Sequence, residues 1–74
     1  MTVNWGHHIR EIRERKKLTQ AEIAKRTGFS RSHISHIESG RYPSVKPVVL
    51  EKLANALELT VGELAAVIWV KRNN

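Results

Sequence analysis

The stretch from Thr19 to Arg41, TQAEIAKRTGFSRSHISHIESGR, decides the fold. It holds two short helix patterns joined by one glycine, with a hydroxyl residue at each start. Thr19 can cap a helix beginning at Gln20. Glu22, three residues on, completes a T-x-x-E capping box, in which side chains satisfy the backbone groups that a helix start leaves unpaired. Gly28 stops that helix, because the left-handed conformation needed there costs glycine nothing sterically. Ser30 caps a second helix running to about Ser39, and Gly40 ends it.

Ile23, Phe29, Ile34 and Ile37 supply a shared core, and Ala24 is small where two helix backbones must approach. At about 100° per residue, Ile34 and Ile37 lie within roughly 60° of each other on the second helix. Arg31, Ser32, Ser35, His36 and Ser39 spread over roughly 140° of the opposite surface. That surface has no purely hydrocarbon side chain and carries a permanent cation, so it suits a wet, polar groove. Two helices so tightly joined must cross steeply, the helix-turn-helix arrangement that offers one helix to a DNA groove.

Motifs along the chain extend this reading. I-R-E-I-R spans Ile9 to Arg13, L-T-Q-A-E-I-A spans Leu18 to Ala24, I-S-H-I-E-S-G spans Ile34 to Gly40, and L-x-x-L-A-x-A-L spans Leu50 to Leu57. In that order and at those spacings the chain, from about Ile9 to Leu64, resembles the Cro, lambda-repressor and Xre class of helix-turn-helix DNA-binding proteins. The resemblance implies an all-α, five-helix, lambda-repressor-like domain that regulates transcription as a repressor, with a double-stranded DNA operator as partner. It implies base reading by Arg31, Ser32 and His36 and phosphate contacts from Gln20, Ser35, Ser39 and Arg41. It also implies a partly buried, structural ion pair between Arg13 and Glu38. Common members often carry glutamine or asparagine at the base-reading positions, so the resemblance does not carry over an operator sequence. A second class of function stays open, an antitoxin-type interaction module that sequesters a protein partner.

Composition bounds the alternatives. Seventy-four residues make one small domain, 1–74, with the helix-turn-helix at 20–39. Without cysteine no disulfide or thiolate-zinc staple is available, so helix packing must carry the stability. Up to Lys46 ten Lys/Arg face four Glu, whereas three of each follow from Pro47 onward, so the whole excess of positive charge lies on the helix-turn-helix half. Attraction to a polyanion accounts for that asymmetry, with Arg15-Lys16-Lys17 and Lys25-Arg26 as contributors. No apolar run approaches the roughly 18 residues of a membrane span, and Met1-Thr2-Val3-Asn4 is unlike a signal-peptide start. The expected location is the cytoplasm, at the nucleoid.

Aspartate and cysteine are both absent, and no glycine-rich phosphate loop or HExxH occurs, which argues against an enzyme. His33 and His36 share a helix and His7 and His8 are adjacent, yet a zinc site needs three or four ligands, so no metal and no cofactor are expected.

The remaining pattern places helix one over about Gly6 to Lys17, with Ile9 and Ile12 inward. Pro47 opens a fourth helix, where its missing N–H is not needed, and Leu50, Leu53, Ala54 and Leu57 form its buried face. Thr60 and Glu63 make a second capping box for a C-terminal helix over 60–70. Leu64, Val67 and Ile68 close the core, leaving Ala66, Trp69 and Val70 as a homodimer contact. Trp69 folded back over helix one, beside Trp5, would instead leave a monomer. Val3-Asn4-Trp5 and Arg72-Asn73-Asn74 read as loosely held ends.

Overall fold

The computed structural model describes residues 4–72, with side chains as far as Trp69. Five helices run in order: α1 Trp5–Arg15, α2 Gln20–Thr27, α3 Arg31–Glu38, α4 Pro47–Ala56 and α5 Val61–Arg72. No strand occurs among the described residues, as an all-α fold requires. The helix packing is local and closed: α2 lies on α3 and α4, while α1 bridges α3 and α5. Also paired are α4 and α5, and the whole measures 32 × 23 × 23 Å.

Both capping boxes form. Thr19 Oγ1 accepts from Glu22 N at 3.1 Å while Glu22 Oε1 accepts from Thr19 N at 3.0 Å. Thr60 and Glu63 repeat the exchange at 3.0 and 2.8 Å. The N–H groups of Thr19 and Thr60, with their hydroxyls, hold the Glu22 and Glu63 carboxylates below the usual carboxylate range. A depressed carboxylate pKa means that this support is complete at neutral pH and is lost as acid protonates the group.

Three helices end alike. After α3, Gly40 N donates to Ile37 O and Arg41 N to His36 O, both at 3.2 Å, with Gly40 at φ +85°. This paired ending satisfies two carbonyls that the helix would leave orphaned. Lys17 after α1 and Glu58 after α4 take the same left-handed turn at φ 59° and 61° without being glycine. For that reason α1 ends at Arg15, short of Lys17.

One core unites the helices: Ile9 and Ile12, Ile23 and Ala24, Ile34 and Ile37, Leu50, Leu53, Ala54 and Leu57, then Leu64 and Ile68. Trp5 belongs to it at 2 % exposure, so the reading of Asn4 and Trp5 as a loose end is wrong. Asn4 caps α1, its Oδ1 accepting from Gly6 N at 2.7 Å. The stripe Trp5, Ile9, Ile12 recurs at i, i+4, i+7, which carries the apolar face back to the cap. Val3, Asn73 and Asn74 lie outside the described residues, and Arg72 is described only as the last residue of α5.

Gly6 is where α1 meets α3. A Cβ at this position would run into the carbonyl oxygen of Ile37. The amino end of α1 is therefore laid against the carboxyl end of α3 at backbone contact, and this sets the angle at which α3 is presented.

Candidate nucleic-acid interface

The presentation of α3 begins at its turn. Gly28 sits at φ +82° and its N–H donates to Ala24 O at 2.9 Å. The Thr27 hydroxyl donates to Ile23 O at 2.8 Å and accepts from Phe29 N at 3.1 Å, fastening the end of α2 to the chain leaving it. Ser30 Oγ then accepts from His33 N at 3.0 Å and starts α3. Phe29 is only half-buried; its ring meets His33 at 4.7 Å, and His33 in turn meets the Tyr42 ring edge-on at 5.8 Å.

The carboxyl end of α3 is held by charge. Glu38 is buried, and its two oxygens accept from Arg13 Nε at 2.6 Å and Arg13 Nη2 at 3.0 Å, the bidentate geometry that arginine favours. Arg13 Nη1 also donates to Leu18 O at 2.8 Å. The hydrogen bond to Glu38 raises the Arg13 pKa further, against the opposing effect of burial, so the guanidinium stays charged. Gln20, the first residue of α2, adds a third donor to Glu38 at 3.1 Å. One carboxylate thus joins α1, α2 and α3.

Outward from that anchor, Arg31, Ser32, Ser35, Ser39 and Arg41 are exposed, and His36 is half-buried. Gln20, Ser35 and Ser39 converge with Arg13 and Glu38 on an open polar notch of about 290 Å³, and Arg10 completes its wall. Arg10 is a residue the sequence reading missed, although its spacing of three from Arg13 on α1 could have found it. Its only close carboxylate among the described residues is Glu14, at 3.4 Å on an exposed face. Two of the expected phosphate ligands are partly committed: Gln20 gives an amide hydrogen to Glu38, and Ser39 Oγ donates to His36 O at 2.9 Å. Gln20 retains a second amide hydrogen, whereas Ser39 must rotate its hydroxyl to donate elsewhere.

On α5, Ala66 and Trp69 are exposed, Trp69 at 44 %, while Leu64 and Ile68 are fully buried. The Val70 side chain lies outside the described residues. Arg26, read from sequence as surface charge, donates to Ala56 O at 2.9 Å and closes the end of α4. No group of three histidine or glutamate side chains gathers among the described residues, and no helix there is long and apolar enough to cross a membrane.

The chain is similar to known proteins in sequence and in structure. The transcriptional repressor RghR of Bacillus subtilis is 39 % identical over 56 residues, which is 76 % of this chain and 42 % of RghR. The immunity repressor of Bacillus phage phi105 is 42 % identical over 65 residues, 86 % of this chain and 42 % of that protein. The chain therefore spans less than half the length of these curated relatives. Among solved structures, the restriction-modification controller protein C.AhdI of Aeromonas hydrophila superposes with a TM-score of 0.73 at 37 % identity, over 81 % of this chain and 89 % of its own. The biofilm regulator SinR, solved in complex with DNA, gives 0.72 at 28 % identity, over 82 % and 97 %. A family model described as a helix-turn-helix domain matches residues 5–67, nearly the whole described fold. With its five helices, capped turn and anchored α3, the chain belongs to the helix-turn-helix domain family, of the lambda-repressor-like kind.

Proposed function

We propose that this chain is a sequence-specific, double-stranded-DNA-binding transcriptional repressor that works at the nucleoid as a homodimer and acts by occupying its operator, without catalysis. One observation carries the reading. The outer face of α3 is polar and exposed at Arg31, Ser32, Ser35 and Ser39, while its inner face is immobilised by Ile34, Ile37 and the Arg13–Glu38 pair. A rigid helix with a free polar face, on the half of the chain that holds the excess positive charge, fits the major groove. RghR and the phi105 protein are named repressors, and the SinR structure contains DNA.

Within that reading Arg31 forks onto guanine O6 and N7, and Ser32 and His36 read neighbouring edges. Gln20, Ser35, Ser39 and Arg41 hold phosphates and set the register. Titrating salt against duplex affinity tests the phosphate half. Affinity should fall roughly 10³-fold between about 50 and 200 mM salt if a dimer neutralises six phosphates. Arg41→Ala should lower the salt slope by about one per subunit and weaken all duplexes alike. Binding that ignores salt would rule the reading out.

The dimer contact is assigned to Ala66, Trp69 and Val70 on α5. Trp69 is 44 % exposed, whereas Trp5 is buried. Exposed aromatic surface on a helix suits a two-fold contact. Sedimentation at micromolar concentration should give a dimer for the wild type and a monomer for Trp69→Asp. A dimer that survives the substitution would remove α5 as the interface.

A further inference from the structure

The turn that carries Arg41 is gripped from outside α3. Its leading side is fixed by α3 itself, through the hydrogen bonds from Gly40 N and Arg41 N. Its trailing side is fixed by α1: the carbonyl oxygen of Tyr42 accepts from Asn4 Nδ2 at 3.0 Å and from Trp5 Nε1 at 2.8 Å. Asn4 uses both ends of its amide, one capping α1 and the other holding the turn. Asn4 and His7 also cover Gly40, where a Cβ would come within 3.4 Å of Asn4 and 3.2 Å of His7 Nε2. A buried indole N–H needs some acceptor, and any carbonyl would satisfy it. Here the acceptor is the residue next to Arg41.

We infer that Asn4 and Trp5 are positioning residues for DNA binding, which hold the α3–α4 turn so that Arg41 is presented to the phosphate backbone already ordered. The inference rests on the assignment of Arg41 as the phosphate clamp. A long side chain on a fixed backbone loses less freedom on binding than one on a mobile loop, so part of the affinity comes from residues that do not reach DNA. The effect acts through a backbone contact and is therefore uniform across duplex sequences.

A double-mutant cycle in the full chain separates this from a merely structural role. Asn4→Ser keeps an oxygen to cap α1 and removes the donor to Tyr42. Trp5→Phe removes the indole N–H and serves as the second variant should Asn4→Ser fail to fold. Affinity for a mixed-sequence duplex and its salt slope are measured for the wild type, Asn4→Ser, Arg41→Ala and the double variant, all below their melting temperatures. Asn4→Ser should weaken binding about fivefold, the factor that one net hydrogen bond supplies, and move the salt slope toward that of Arg41→Ala. In the Arg41→Ala background the same change should cost less than about twofold. Equal losses in both backgrounds would overturn the inference, as would an Asn4→Ser variant with wild-type affinity while Arg41→Ala binds weakly. An Arg41→Ala variant with wild-type affinity and slope would instead refute the clamp itself, and the positioning role with it.

Discussion

Glu38→Ala is expected to destabilise the domain by about 3–5 kcal/mol. Glu38 is 4 % exposed, and its carboxylate receives three donors from Arg13 and Gln20. Truncating it leaves the Arg13 guanidinium, itself mostly withdrawn from water, facing a void with its charge intact. A chain of 74 residues has roughly 4–11 kcal/mol of total stability, so the loss consumes much of it. Because the pair costs desolvation to form, replacing both members by apolar residues should do far less harm: Arg13→Met with Glu38→Leu should stay within about 2 kcal/mol of the wild type. Urea melts of the three proteins decide this. A Glu38→Ala midpoint equal to the wild type would mean that the ion pair does not hold α3.

Gly6→Ala should reverse the usual sign of a glycine-to-alanine change. In an open helix, alanine is worth roughly 0.5–1 kcal/mol over glycine. At this position the added methyl meets the Ile37 carbonyl, a backbone atom that has no rotamer to escape into. Either α1 or the end of α3 must move, at a cost of about 3 kcal/mol. The displaced elements are those that carry Glu38 and the Arg41 turn, so duplex affinity should fall with stability. Denaturation monitored by circular dichroism, together with duplex titration, reads both effects. An alanine variant as stable as the wild type would mean that α1 and α3 do not approach this closely.

Most of what positions α3 is written locally. Thr19 with Glu22, Thr60 with Glu63, Ser30, Gly28, Gly40 and Pro47 each announce a helix end through chemistry confined to a few residues, and each stands at such an end. The Arg13–Glu38 pair spans twenty-five positions and became legible only through the resemblance to a known class, since spacing alone cannot say which arginine meets a buried glutamate. Besides Arg10, three features escaped. Gly6 looks like any helical glycine until α3 is laid against it. Lys17 and Glu58 take left-handed turns without the glycine that would announce them. Asn4 and Trp5 were legible in principle, as a capping residue and the first member of the Trp5, Ile9, Ile12 stripe, but the backbone carbonyl they hold is thirty-eight and thirty-seven residues away.

Within the proposed function, α3 reads base sequence through Arg31 while Gln20, Ser35, Ser39 and Arg41 hold the phosphate backbone. Selecting bound sequences from random duplex DNA, with the wild type and Arg31→Ala in parallel, tests it most directly. The wild type should enrich a two-fold symmetric motif, its half-sites about one helical turn, roughly 10 bp, apart or at a multiple of that spacing. Arg31→Ala should bind about 1–3 kcal/mol more weakly and lose its preference at one base pair of each half-site. A wild type that enriches no motif, or an Arg31→Ala variant that enriches the same motif unchanged, would contradict the account.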